Sequence, residues 1–182
     1  MVTNETVEMN FLADEMSEVI KANRKFEIAE ENSIQAFRTM LAHLWVYSRK
    51  VYDVEDNQRQ AYEAWNRKRG LKYKTAAGKL IDDNKYLPVV KFLFGTGVAS
   101  TKKDGTPVKK DGKQVYTLAI DKNKYRYAKV MRFLAEGNEA FKAKMLEEDS
   151  AFEKVGATFE DAMAAFGVMT PSDMMVADTK NH

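Results

Sequence analysis

The stretch SIQAFRTMLAHLWVYSRKVY, residues 33–52, decides how this chain is to be read. Ile34, Phe37, Met40, Leu41, Leu44, Trp45, Ser48, Val51 and Tyr52 recur at three- and four-residue steps, so they share one wide face of an α-helix. A face that broad must be covered on several sides, and the flanking sequence supplies the cover. On the N-terminal side, residues 5–25 place Val7, Phe11, Ala13, Met16, Val19 and Ile20 at mixed helical steps between acids. On the C-terminal side, Asp53 or Asp56 can cap a further helix through Tyr62 and Trp65 to Arg69, ending at Gly70. One unbroken helix from Ser33 to Arg69 fits the same residues.

Farther along, Thr75 can start a short helix to Ile81, and Pro88 stands where a first-turn proline is tolerated in a helix over Tyr86–Phe94. Residues 98–120 change character. Gln114–Ile120 is β-branched and aromatic, with Tyr116, Leu118 and Ile120 on one side, and Val98–Thr101 is a weaker partner strand. Between them KKDGTPVKKDGK holds two Asp-Gly turn signals, which together predict a β-hairpin with a long, mobile lysine-rich tip. Asp121 can cap a helix through Tyr125, Ala128, Met131 and Leu134 that stops at Gly137. Asn138–Glu148 reads as helix, and Thr158-Phe-Glu-Asp161 is a capping-box start for another ending at Gly167. The expected fold is mainly α with one small β-hairpin, a helical bundle. Residues 1–32 form an acidic helical arm, 33–167 the helical domain with its hairpin at 98–120, and 168–182 a flexible tail.

Composition narrows the function classes. The absence of cysteine among 182 residues excludes a disulfide framework, a thiolate metal site and a cysteine nucleophile, and fits a reducing cytoplasm. No secretory leader and no apolar run long enough for a membrane span is present. Nothing calls for a cofactor or a metal: there is no glycine-rich phosphate loop, zinc spacing or nucleophile elbow, and Gly95-Thr-Gly97 is too short to count. His43, inside Leu41-Ala-His-Leu-Trp45, reads as a partly buried helical histidine, and Asp82-Asp83, in a turn, as a helix cap and surface charge rather than a divalent-ion site.

The net charge of +2 conceals a segregation. Residues 1–37 carry 3 Lys/Arg against 8 Asp/Glu, residues 38–132 carry 22 against 9, and residues 133–182 carry 4 against 10. A basic middle of this kind is the footprint of a surface that meets phosphate or an acidic partner. Three clusters compose it. Arg67, Lys68, Arg69, Lys72, Lys74 and Lys79 are interleaved with Trp65 and Tyr73, a pattern suited to single-stranded nucleic acid, where rings stack on bases. Lys102, Lys103, Lys109, Lys110 and Lys113 crowd the hairpin tip, and Lys122, Lys124, Arg126, Lys129 and Arg132 lie on the helix after it.

The order of short helix, second helix and hairpin over 75–120 resembles the layout of a winged helix-turn-helix. Its second helix, however, offers only Lys91 as an interior charge where base reading needs several polar side chains, so burial of that helix is the expectation. The leading function is therefore non-enzymatic binding of DNA or RNA. Small size, simple composition and the lack of a family motif suit a protein of a mobile genetic element. The alternative is an inhibitor or adaptor whose basic middle occupies an acidic or nucleic-acid-binding surface of a larger protein. The acidic flanks either are solvated faces or dock on the basic middle, in the same chain or in a second copy. Because the first helix must bury Phe11, Met16, Val19 and Ile20 somewhere, a homodimer is the expected oligomer.

Overall fold

Asp53 and Val54 interrupt the helical run that begins at Ile34, so the two-helix reading holds. The break is sealed by side chains. Asp53 is held by Arg49 at 2.8 Å, and the Asn57 amide donates to the Lys50 carbonyl at 2.9 Å, one of the last-turn oxygens that no later amide can reach. Neither Asp53 nor Asp56 caps the next helix; the Val54 carbonyl accepts its first hydrogen bond, from Gln58, and Asp56 pairs with Arg59.

The computed structural model describes residues 12–28, 34–69, 77, 79, 82–148 and 155–181. Among these the chain forms α1 (Ala13–Ile28), α2 (Ile34–Tyr52), α3 (Glu55–Arg69), α4 (Leu87–Phe94), β1 (Thr96–Ala99), β2 (Lys109–Lys110), β3 (Lys113–Gln114), β4 (Tyr116–Ala119), α5 (Lys122–Glu136), α6 (Glu139–Glu148), α7 (Phe159–Val168) and α8 (Pro171–Asn181). The fold is mainly α with a minor antiparallel hairpin. The expected helix over Thr75–Ile81 lies almost wholly outside the described residues.

Helix α2 is the hub. Met40, Leu41, Ala42, Leu44, Trp45, Tyr47 and Val51 are sealed from solvent, and α1, α3, α5 and α7 all pack on it. The Trp45 indole N–H, which must find a partner when buried, donates to the Gly156 carbonyl at 2.7 Å and ties the start of the α7 region to this core. Helix α4 is buried through Leu87, Pro88, Val89, Val90 and Phe92, and Phe92 stacks on Trp65 of α3 at 5.0 Å. Buried Asn84 links the turn before α4 to α5, donating to the Ala128 carbonyl and accepting from the Tyr86 amide.

Two segments are built differently from the sequence reading. Residues 13–28 are no separate arm: α1 folds back along α2, with Val19 and Ala22 in the common core and Met16 packed against it, while Phe11 lies outside the described residues. The stretch read as a flexible tail contains α8. Thr170 is its N-cap, exchanging hydrogen bonds with the Asp173 amide and carboxylate, and Pro171 occupies the first turn. Met174 is buried against α5, and Asp178 receives two hydrogen bonds from Arg132, at 2.8 and 2.7 Å. The expected ends at Asp121, Gly137 and Thr158 are all as read, including a complete capping box between Thr158 and Asp161.

Gly95 joins α4 to β1 at a point where a Cβ would lie 2.2 Å from the Lys91 carbonyl oxygen, so only glycine lets the hairpin leave the helix there. Since Leu44 is fully buried at the hub, Leu44→Ala should lower unfolding free energy by about 2–5 kcal/mol in denaturant melts. Unchanged melting would place this face outside the core.

Candidate functional site

The hairpin stem pairs β1 with β4 in the register Thr96↔Ala119, Gly97↔Leu118, Val98↔Thr117 and Ala99↔Tyr116. Leu118 and Ile120 turn toward the core, whereas Tyr116, expected beside them, is 54% exposed. Above the stem the chain does not form one long open tip. Ser100, Val108 and Val115 meet in a three-way junction: the Ser100 amide donates to the Val115 carbonyl, the Val108 amide to Ser100, and the Val115 amide to Val108, at 2.8 to 2.9 Å. The Gln114 side-chain amide donates to the Ser100 and Val115 carbonyls and closes the centre.

Two small lobes grow from that junction. In the first, the Thr101–Pro107 bridge encloses Lys102 and Lys103, and the Gly105 amide returns to the Lys102 carbonyl at 3.0 Å. Asp104 there accepts from both the amide and the hydroxyl of Thr106, hydrogen bonds that hold its carboxyl below the usual range and direct it back into its own turn. In the second lobe β2 and β3 are joined by Asp111-Gly112, both at positive φ (50° and 76°), the requirement of a tight two-residue hairpin. Lys109 faces Gln114 across the strands, and Lys110 faces Lys113. All five lysines of the lobes are exposed, and among the described residues none of them is in an ion pair.

Elsewhere the basic middle is partly consumed by the acidic flanks of the same chain. Lys50 pairs with Glu15, Lys124 with Glu27 at 3.4 Å, and Arg132 with buried Asp178. Lys124 also lies over the Phe94 ring, and Lys129 donates to the Thr179 hydroxyl at 2.7 Å. Lys122 and Arg126 remain exposed and outside any ion pair among the described residues. The third cluster thus divides, with Lys124, Lys129 and Arg132 engaged inward and Lys122 and Arg126 available.

Most of the first cluster lies where side chains are not described. Arg67, Lys68 and Arg69 end α3, Lys79 is exposed, and Lys72, Lys74 and Tyr73 lie outside the described residues. Trp65, read as a stacking ring, is core: it is 2% exposed and wedged among Tyr47, Tyr62 and Phe92. The aromatics that do reach solvent beside cations are Tyr116 and Tyr125, the latter 45% exposed. The sequence groups Tyr116 with Leu118 and Ile120, and Tyr125 with Ala128, Met131 and Leu134, by spacing alone. The usable signal was their immediate neighbourhood, Lys113 for the first and Lys122, Lys124 and Arg126 for the second.

Along α5 and α8 runs a groove. One cavity of about 540 Å³ is walled by Arg126, Lys129 and Lys180 with Met175 and Val176, and no carboxylate lines it. A second, of about 430 Å³, shares Arg126, Ser172 and Met175 with the first, reaches Phe26, Phe37 and Tyr127, and has the carboxylates of Glu27 and Asp121 in its wall. The buried Tyr127 hydroxyl is pushed up to about 12 by desolvation, so it stays protonated.

No group of three or more metal-ligating side chains exists among the described residues. His43 packs its ring 4.7 Å from Phe159 and is half-buried, as its apolar setting predicts. Asp82, read as a turn charge, binds Lys91 through both carboxylate oxygens at 2.9 Å. Compared with protein-family models, with curated protein sequences and with solved structures, the chain matches none.

Burial lowers the His43 pKa from its ordinary 6.5, against a smaller upward pull from Glu18. The unfolded chain therefore binds this proton first as pH falls, so the stability contributed by neutral His43 is present above 6.5 and is lost on acidification. Thermal melts over roughly pH 7 to 5 should show declining stability in the parent and a flatter profile in His43→Gln. Parallel profiles would show that His43 is not the group responsible.

Proposed function

We propose that the chain is a non-enzymatic nucleic-acid-binding protein whose two-lobed hairpin grips the phosphate backbone. The observation that carries this reading is the placement of five exposed, unpaired lysines on lobes whose own geometry sets like charges against each other. Lys110 stands directly across from Lys113, and like charges in that position weaken a strand pair. A two-residue ladder has little other stability with which to offset the repulsion. A phosphate anion at the second lobe would relieve it.

The chemistry points to backbone contact without base reading. Lysine is a compact point charge that neutralises phosphate, whereas bases are discriminated by bidentate Arg, Asn or Gln. The lobes carry no arginine or asparagine, and the amide nitrogen of Gln114 is committed to the junction. With α4 buried, the helix that stands in the recognition position offers no base-reading face, so the layout that resembles a winged helix-turn-helix supplies a wing without a recognition helix. Binding that is tolerant of sequence is the consequence.

Fluorescence anisotropy with random-sequence oligonucleotides across a salt series tests this. Affinity should fall steeply with salt, and replacing Lys102, Lys103, Lys109, Lys110 and Lys113 by Ser should flatten the slope by about 0.9 for each lost contact with duplex phosphate. Melting should be little changed, because no replaced side chain is buried. A parent indifferent to oligonucleotides, or a five-fold variant that binds as the parent does, overturns the proposal; the first result leaves the acidic protein surface as the reading to pursue.

A further inference from the structure

Lys122, Tyr125, Arg126 and Lys129 occupy positions i, i+3, i+4 and i+7 of α5, a spacing that places them on one face of the helix. It is the outward side of the helix, opposite the buried Tyr127, Ala128, Val130, Met131, Phe133 and Leu134. Here it holds three cations around a tyrosine, with Lys122, Tyr125 and Arg126 exposed and only Lys129 half-covered. Like charges four residues apart, as Lys122 and Arg126 are, weaken a helix. Among the described residues the Tyr125 ring has no aromatic neighbour and its hydroxyl no hydrogen-bond partner. The face runs from the base of the hairpin into the cavity walled by Arg126, Lys129 and Lys180 and free of carboxylates.

We infer that this face of α5, with the α8 groove it leads into, is a binding track for single-stranded nucleic acid, with Tyr125 as the platform on which one base stacks. The inference rests on the nucleic-acid reading above and adds the strand class and a second contact surface. Its occupant follows from the chemistry. An unpaired tyrosine ring offers its face to any planar base, and the cations around it hold the phosphates on either side of that base. Duplex bases are already stacked on one another and cannot lie on the ring without leaving the helix. Met175 and Val176 give the groove an apolar wall and Arg126, Lys129 and Lys180 a cationic rim, which matches a strand that is apolar on its base side and anionic along its backbone.

The experiment compares Tyr125→Ser and Tyr125→Phe with the parent full chain, each titrated with oligo-dT and with a duplex of equal length, after melting confirms that all three fold. Loss of the platform should weaken oligo-dT binding about 5- to 100-fold in Tyr125→Ser, leave it near the parent value in Tyr125→Phe, and leave duplex binding unchanged. Oligo-dT binding by Tyr125→Ser equal to that of the parent overturns the inference. So does an equal loss for single strand and duplex, which would mean a general disturbance of α5. A parent that binds duplex but not oligo-dT refutes the track while sparing the hairpin proposal, and a parent that binds neither refutes both.

Discussion

Everything in this fold answers to the need to cover α2. Seven apolar residues of that helix are removed from water, and they are spread so widely that no single neighbour could shield them. Four helices must therefore converge on it, and each brings its own apolar stripe. This explains why α1, though acidic and remote from the centre of the sequence in charge, lies along α2. It also explains the hydrogen bond from Trp45 to the Gly156 carbonyl: a large indole at the hub stays buried only if its one polar atom is satisfied by the chain that packs over it.

The charge segregation acquires two meanings once the helices are placed. Part of it is architectural. Glu15, Glu27 and Asp178, from the acidic ends, meet Lys50, Lys124 and Arg132 from the basic middle, so opposite ends of the sequence are drawn to its centre. The pair between Arg132 and Asp178 is the most consequential, because Asp178 is almost fully buried and an uncompensated charge there would be strongly destabilising. Part of the segregation is left over: the lysines of the two lobes, with Lys122 and Arg126, find no acid among the described residues. Among the described residues of the second and third clusters, this surplus lies on the hairpin lobes and the start of α5.

What the sequence made legible follows from the range of the interactions concerned. Helix starts at Asp121 and Thr158, the tolerated Pro88 and the stop at Gly137 are decided within a few residues, and all stand as read. Thr170-Pro-Ser-Asp173 is equally local, yet its Thr-Pro pair reads as the onset of a tail. Its N-cap, first-turn proline and third-position acid were a start signal. Trp65 fails for the opposite reason. Basic neighbours made it look like a stacking ring, and only the long-range approach of Phe92 shows that it is core. The division of the third cluster was beyond local reading as well, since Lys129 and Arg132 are engaged by a helix some fifty residues later (|i−j| of 50 and 46).

The junction of Ser100, Val108 and Val115 has an evolutionary corollary. Each lobe closes on its own hydrogen bonds and the two are tied together at the junction, where Gln114 of the second donates to the Ser100 carbonyl, so the pair stands apart from the helical core. The near-duplicate Lys102-Lys-Asp-Gly105 and Lys109-Lys-Asp-Gly112 can then be regarded as interchangeable modules. Descendants could lengthen, delete or copy a lobe, altering how many cations the hairpin presents in steps of two or three, with the bundle beneath left untouched.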